Sequence, residues 1–227
     1  MGAREPVITI DGPAGAGKGT VARRLAAKLG YRLLDTGAMY RALAWSVARA
    51  GLAPEDSPAL RRHVDRVQID LEGDRVIVDE RDVTDEIRSP EIAALTSRLS
   101  MLSVVRDKLT PIQRRLAETG GVVLEGRDTG TVVCPDAEVK FYLDASLAER
   151  ARRRQMELRA RGVEVDPETA ERDIAARDTQ DSSRALAPLR RAPGAIEVDS
   201  TGLGVDQVVA LMADAVERRR RQPTGCG

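Results

Sequence analysis

Apolar residues in this chain follow two rhythms, and the switches between them mark the elements. Short apolar runs at Val7-Ile8-Thr9-Ile10, Val122-Val123-Leu124, Val139-Lys140-Phe141-Tyr142-Leu143 and Ala195-Ile196-Glu197-Val198 have the length and β-branched content of buried strands. Tyr31-Arg32-Leu33-Leu34-Asp35 reads as another. Between them the apolar positions recur at helical spacing. Ala22, Leu25 and Leu29 mark the first helix, and Thr36 would cap a second that closes at Gly51. A third runs from Val104 to about Ala117, where Pro111 predicts a kink near Arg106 and Asp107, and a last from Val205 to about Arg221. Strands alternating with helices predict a doubly wound α/β fold on a five-stranded parallel sheet.

From about Ala59 to Ser100 the pattern changes. Val67-Gln68-Ile69-Asp70-Leu71 alternates with period two, Gly73-Asp74 supplies a two-residue turn, and Arg75-Val76-Ile77-Val78 returns. Another strand-like fragment surrounds Asp82-Val83-Thr84, and Ser89-Pro90-Glu91 opens a helix with Ile92, Leu95 and Leu99 on one face. A hairpin and a helix here predict a small subdomain, 59–100, inserted into a core made of 1–58 and 101–222, with 223–227 as a tail. Two arginine-rich helices stand between the last strands. Ser146-Leu147-Ala148-Glu149 predicts a capping box. The helix it opens carries Arg150, Arg152, Arg153, Arg154, Arg159 and Arg161 and closes at Gly162. Asp166-Pro167 opens the next, which runs toward Arg184. One account of these arginines is a solvated face laced by pairs such as Glu149–Arg153. The other is a short helical lid, about 146–162, that carries positive charge over phosphates.

Composition narrows the classes. At 227 residues the chain can bury a real core as one domain with an insertion. The 36 basic and 36 acidic residues cancel, which argues against a bulk nucleic-acid binder, and no nucleic-acid partner is expected. Only four of the basic residues are lysines, so arginine is common enough here that no single one argues for function. Arg218 to Arg221 suit the C-terminal end of a helix. Cys134 and Cys226 form no metal spacing, and no apolar run has membrane-spanning length. The first strand begins without a signal segment, and Pro6 breaks the myristoylation pattern after Met1-Gly2. A cytoplasmic monomer is expected. His63, the only histidine, lies in what reads as a solvated helix, so histidine-dependent nucleophilic catalysis has little to rest on.

Gly12-Pro13-Ala14-Gly15-Ala16-Gly17-Lys18-Gly19-Thr20 follows the first strand and opens the first helix. A strand, a glycine-rich turn and a helix form a phosphate-binding P-loop unit. Glycines let successive N–H groups turn inward, and the helix N-terminus adds its dipole. Lys18 would reach the outer phosphates, and the Thr20 hydroxyl a Mg²⁺ ion. Gly19 separates the lysine from the hydroxyl residue, a form that resembles nucleoside monophosphate kinases.

The resemblance then narrows. Residues 7–20, Leu33-Leu34-Asp35-Thr36-Gly37-Ala38-Met39-Tyr40-Arg41, Glu125-Gly126-Arg127-Asp128-Thr129-Gly130-Thr131-Val132-Val133 and Ser183-Arg184-Ala185-Leu186-Ala187-Pro188-Leu189 together resemble the bacterial cytidylate kinases, over nearly the whole chain. The resemblance implies transfer of the ATP γ-phosphoryl group to CMP or dCMP with Mg²⁺. It implies that Gly12 to Thr20, with Arg150, Arg153 or Arg154, hold the donor, with Lys18 also catalytic. Arg41, Arg127 and Arg184 would clamp the acceptor phosphate. Thr36 and Tyr40 would lie near the acceptor nucleotide, Arg177 and Asp181 would contact its sugar, and Ser97, Arg106 and Asp128 would read cytosine. Glu125 stands where Asp is expected, and Cys134 where a larger apolar residue is common.

The chemistry agrees. An acceptor phosphate is an ionised nucleophile and needs no general base, while two anions meeting require converging arginines. Asp128 accepts and Arg106 donates, which matches the N4 amino group and the N3 and O2 acceptors of cytosine. Another acceptor, such as UMP, AMP or shikimate, and a P-loop binding module without turnover are the remaining readings.

Overall fold

The apolar runs at 7–10 and 122–124 become strands buried on both faces, whereas the last run, 195–198, buries only Val198 and leaves Ile196 exposed at the sheet edge. In the computed structural model, which describes residues 4–160 and 162–221, β1 (Val7–Asp11) is buried at every position. The predicted tail, Cys226, Met1-Gly2 and Arg161 lie outside the described residues. β1 is followed by α1 (Lys18–Leu29) and β2 (Arg32–Asp35), and later in the chain come β6 (Val122–Gly126), β7 (Val139–Asp144) and β8 (Ile196–Asp199). The sheet order is β2-β6-β1-β7-β8, with β1 paired in parallel to β6 (Val7 opposite Val122) and to β7 (Ile8 opposite Val139). The chain fills one side of β1 before the other, so the crevice at the C-terminal end of β1 is a topological switch point. Ile8, Ile10, Leu25, Phe141, Leu143 and Met212 pack in one cluster with α1 and α8 (Val205–Arg221). Burying each of these large side chains contributes about 2 kcal/mol. Among the described residues no helix is long and apolar enough to cross a membrane.

The arginine-rich segment forms α6 (Leu147–Ala160) and α7 (Pro167–Ser182), which pack on each other. The Asp166 side chain caps α7 by accepting from the Thr169 amide at 2.9 Å. The capping box at α6 is only half made. The Ser146 hydroxyl accepts from the Glu149 amide at 3.3 Å, but the Ser146 amide donates to Thr201, and the Glu149 carboxylate turns to Arg152 and Arg153. Two guanidiniums outcompete one backbone N–H for that carboxylate.

Leu34–Glu118 forms a second compact unit. It holds the whole 59–100 segment together with α2 (Thr36–Arg49) and α5 (Ser103–Ala117), the latter continuous through Pro111. The predicted hairpin is β3 (Ile69–Glu72) and β4 (Arg75–Val78), joined by Gly73-Asp74, and a third short strand, β5 (Arg81–Asp82), pairs with β4. Before them lies α3 (Pro58–Arg66) and after them α4 (Pro90–Leu99), capped by Ser89. α2 packs against α4 and β4. The cap of α2 is Asp35 rather than Thr36: the Asp35 carboxylate accepts from the Ala38 amide at 2.7 Å, and Thr36 is the first helical residue. His63 is not simply solvated either. It is half-buried on α3 and hydrogen-bonds the Ser46 hydroxyl of α2.

Candidate active site

The loop after β1 is shaped by glycines in backbone conformations that a side chain would strain. Gly12, Gly15 and Gly17 have φ of +154°, +76° and +87°. A Cβ on Gly12 would lie 2.0 Å from the Leu143 carbonyl oxygen, and one on Gly15 would lie 2.8 Å from that of Arg150. The carbonyls of this loop are held by side chains. Lys18 Nζ donates to Pro13 at 2.7 Å, Arg150 Nη1 to Ala14 at 3.1 Å and Arg153 Nη1 to Ala16 at 3.2 Å. The amides from Gly15 to Thr20 have no partner among the described residues. Free amides at a helix N-terminus, with carbonyls turned away, fit the phosphates of a nucleotide.

Lys18 is buried beside Arg127. Burial first and then the Arg127 charge lower its pKa to about 7, against the opposing pull of Glu125, Asp11 and Asp181. Arg127 donates through Nε to one Asp181 oxygen at 2.8 Å and through Nη1 to the Gly126 carbonyl at 3.3 Å. The second Asp181 oxygen pairs with Arg184, whose Nε is buried with no partner. Asp181 therefore joins two of the arginines expected to clamp the acceptor phosphate. Arg177 is half-buried, and its side chain makes no hydrogen bond among the described residues. Burial, then the Arg154 and Arg127 charges, lower its pKa. Arg177, Arg154 and Arg127 thus form a cationic group that an anion would relieve.

Arg150, Arg153 and Arg154 on α6 are engaged with protein groups. The Arg153 guanidinium bonds Glu149, Ala16 and both the hydroxyl and carbonyl of Ser200. Arg150 is buried and bonds Ala14, Ala145 and Asp178. Arg154 pairs with Glu157 at 3.0 Å. Thr20 is exposed in the first turn of α1.

Asp11 has a structural task that its place at the end of an apolar strand does not reveal. One of its oxygens accepts from the Thr129 amide at 2.9 Å and hydroxyl at 2.8 Å, the other from the Gly130 amide at 2.7 Å. These bonds fix the π-helical turn Thr129–Val133, directly after buried Asp128. Burial raises the Asp11 pKa, while the three donors oppose the rise.

The second unit holds a set of its own. The Arg41 guanidinium folds back on Asp35 at 3.0 Å, and a Cβ at Gly37 would lie 3.0 Å from Arg41 Nη1. Thr36 and Tyr40 are buried, and the Arg106 guanidinium lies 5.8 Å from the Tyr40 ring centre. Arg106 Nη1 also reaches the Ser100 carbonyl at 3.4 Å, and the Ser100 hydroxyl donates to the Ser97 carbonyl at 2.9 Å. Ser97, half-buried on α4, and Arg106 on α5 are thus linked through Ser100.

The sequence model of the cytidylate kinase family matches residues 8–218. A protein named cytidylate kinase from Geobacter sulfurreducens is 48% identical, over 99% of this chain and 98% of its own length. One of the same name from Symbiobacterium thermophilum is 49% identical, over 92% and 94%. A solved structure of an uncharacterized protein from Eubacterium ventriosum shares the fold with a TM-score of 0.53 at 13% identity, covering 94% of this chain and 99% of that one. The chain belongs to the cytidylate kinase family, and it is a nucleotide-binding kinase.

Proposed function

We propose that the protein transfers the γ-phosphoryl group of ATP to CMP or dCMP, giving ADP and CDP or dCDP. The observation that carries this reading is a loop with its amides free and its carbonyls tied back, next to an arginine pair held by Asp181. The loop amides and Lys18 bind the donor phosphates. Arg127 and Arg184 bind the acceptor phosphate and neutralise it. Phosphoryl transfer then depends on alignment and charge stabilisation, and the ionised acceptor oxygen attacks without a base.

Thr20 would hold Mg²⁺, which when bound supplies charge neutralisation between the phosphates. Among the described residues no group of three His, Cys, Asp or Glu side chains could hold a metal. An ion bound mainly through substrate oxygens fits such a site. For the base, Asp128 accepts from the N4 amino group, and Arg106, steadied by Tyr40 and the Ser100 carbonyl, donates to N3 or O2. Uracil reverses two of these three polarities.

An ADP-coupled assay with ATP and a panel of CMP, dCMP, UMP and AMP tests the reading. Cytosine nucleotides should lead the panel, and Lys18→Ala should lower kcat/KM by about 10³-fold, as expected for removing a preorganised charge. UMP or AMP as the best acceptor would overturn the cytosine assignment. Near-normal turnover in a folded Lys18→Ala protein would overturn the donor site.

A further inference from the structure

We propose that Asp178 and Arg150 are positioning residues that clamp the Ala14 segment of the phosphate loop and preset it before nucleotide arrives. The inference rests on the reading of this loop as the ATP site. The Ala14 amide donates to Asp178 Oδ1 at 3.2 Å, and the Ala14 carbonyl accepts from Arg150 Nη1 at 3.1 Å. The same Nη1 forms an ion pair with the other Asp178 oxygen, Oδ2, so residue, carboxylate and guanidinium close a ring. Arg150 is itself anchored. Its Nε donates to the Ala145 carbonyl at 2.9 Å and stands 3.5 Å from Asp144 Oδ1, at the end of β7.

The geometry of a trans peptide explains what this ring does. N–H and C=O point in opposite directions across a planar peptide, so holding one fixes the other. Arg150, by holding the Ala14 carbonyl, aims the Gly15 amide away from α6. Arg153 does the same for the Gly17 amide through the Ala16 carbonyl. The Pro13–Ala14 peptide is held at its carbonyl by Lys18 and at its amide by Asp178. When Lys18 turns to phosphate, Asp178 is the holder that remains. Without these contacts the glycine-flanked peptides are free to flip, and a flipped carbonyl would set its oxygen against phosphate oxygens. Asp178 and Asp181 lie three residues apart on α7. One carboxylate holds the phosphate loop and the other the Arg127–Arg184 pair, so a single helix sets both.

On this proposal Arg150 acts through the loop, not as a ligand of the γ-phosphate. Affinities for ADP, ATP and CMP, measured by calorimetry on the full chain, separate the two roles. Asp178→Ala and Arg150→Met should each weaken ADP and ATP alike, by about tenfold, as lost preorganisation does. CMP affinity should stay within about twofold of wild type, since its contacts are not preset by the Ala14 ring. The Ala14 amide, the one loop amide here with a partner, should exchange faster in both variants without nucleotide. Asp178→Asn keeps an oxygen acceptor for the Ala14 amide and should recover to within about threefold of wild type. The double variant should be no worse than the worse single one, because both act on one ring. ATP weakened with ADP unchanged in Arg150→Met, additive losses, or unaltered loop exchange would overturn the proposal. If thermal melting shows that Asp178→Ala does not fold, Asp178→Asn and Arg150→Met decide by the same criteria. The Lys18→Ala variant reports on the ATP reading separately. If wild-type protein binds no ATP, that reading fails, while loop exchange in ligand-free protein still judges the clamp.

Discussion

Binding of ATP should draw nearly one proton onto the protein at pH 8. Burial and the Arg127 charge hold the Lys18 pKa at about 7, below its ordinary 10.5. By the titration curve such an amine is about 90% neutral one unit above its pKa and about 10% neutral one unit below. A triphosphate placed against it favours the charged form and moves the pKa back up. Proton uptake on binding is therefore about 0.9 at pH 8 and about 0.1 at pH 6, and affinity falls nearly tenfold per unit of pH above about 7. The folded pKa lies below the unfolded one. Between about pH 7 and 10.5 the unfolded chain holds more protons, so this group alone makes the nucleotide-free protein more stable as pH rises through that window. Its burial penalty is fully present below about pH 7. Calorimetric titration with MgATP in two buffers of different ionisation enthalpy gives the proton count directly. At pH 8 the phosphates are already ionised and contribute little. Lys18→Arg stays charged throughout the range and should abolish the uptake. Uptake below about 0.2 proton at pH 8, or equal uptake in Lys18→Arg, would refute the assignment of a neutralised, buried Lys18.

Gly15→Ala should cost about 2 kcal/mol or more in thermal unfolding, from a left-handed φ and a carbonyl 2.8 Å from the new Cβ. A shift in melting temperature under about 2 °C would contradict that geometry. Asp11→Ala strands the Thr129 amide and hydroxyl and the Gly130 amide, and should destabilise by about 3 kcal/mol or more in denaturant unfolding. Asp128→Asn should lower CMP turnover and narrow the CMP-to-UMP ratio of kcat/KM, because an amide can donate to O4 of uracil. A ratio unchanged within about threefold would return base selection to other residues.

The strands and most helix starts were legible because burial and capping are local matters. β1, β6 and β7 lie on apolar runs, and Ser89 and Asp166 cap where a hydroxyl or carboxylate precedes Pro. The Gly73-Asp74 turn was equally plain. The capping errors arose where side chains competed. Asp35 accepts an amide as well as Arg41, which displaces Thr36 from the cap, and Glu149 prefers two guanidiniums to a backbone N–H. The phosphate loop could be read because its glycine spacing is itself the mechanism. The tasks of Asp11 and Asp178 could not, because each lies more than a hundred residues from the groups it holds, Thr129 and Ala14.

Arginine-rich sequence also conceals how little of the positive charge is free. Arg127 and Arg184 share Asp181, Arg41 has Asp35, Arg150 has Asp178, and Arg153 has Glu149. Buried Lys18 sits near the point of losing its charge. A nucleotide must therefore compete with carboxylates already in place, and a singly charged anion would exchange one equal partner for another. A phosphate carries more charge and more acceptor oxygens than the carboxylate it displaces, so it gains where a monoanion does not. Pairing these arginines in advance orients them without ligand.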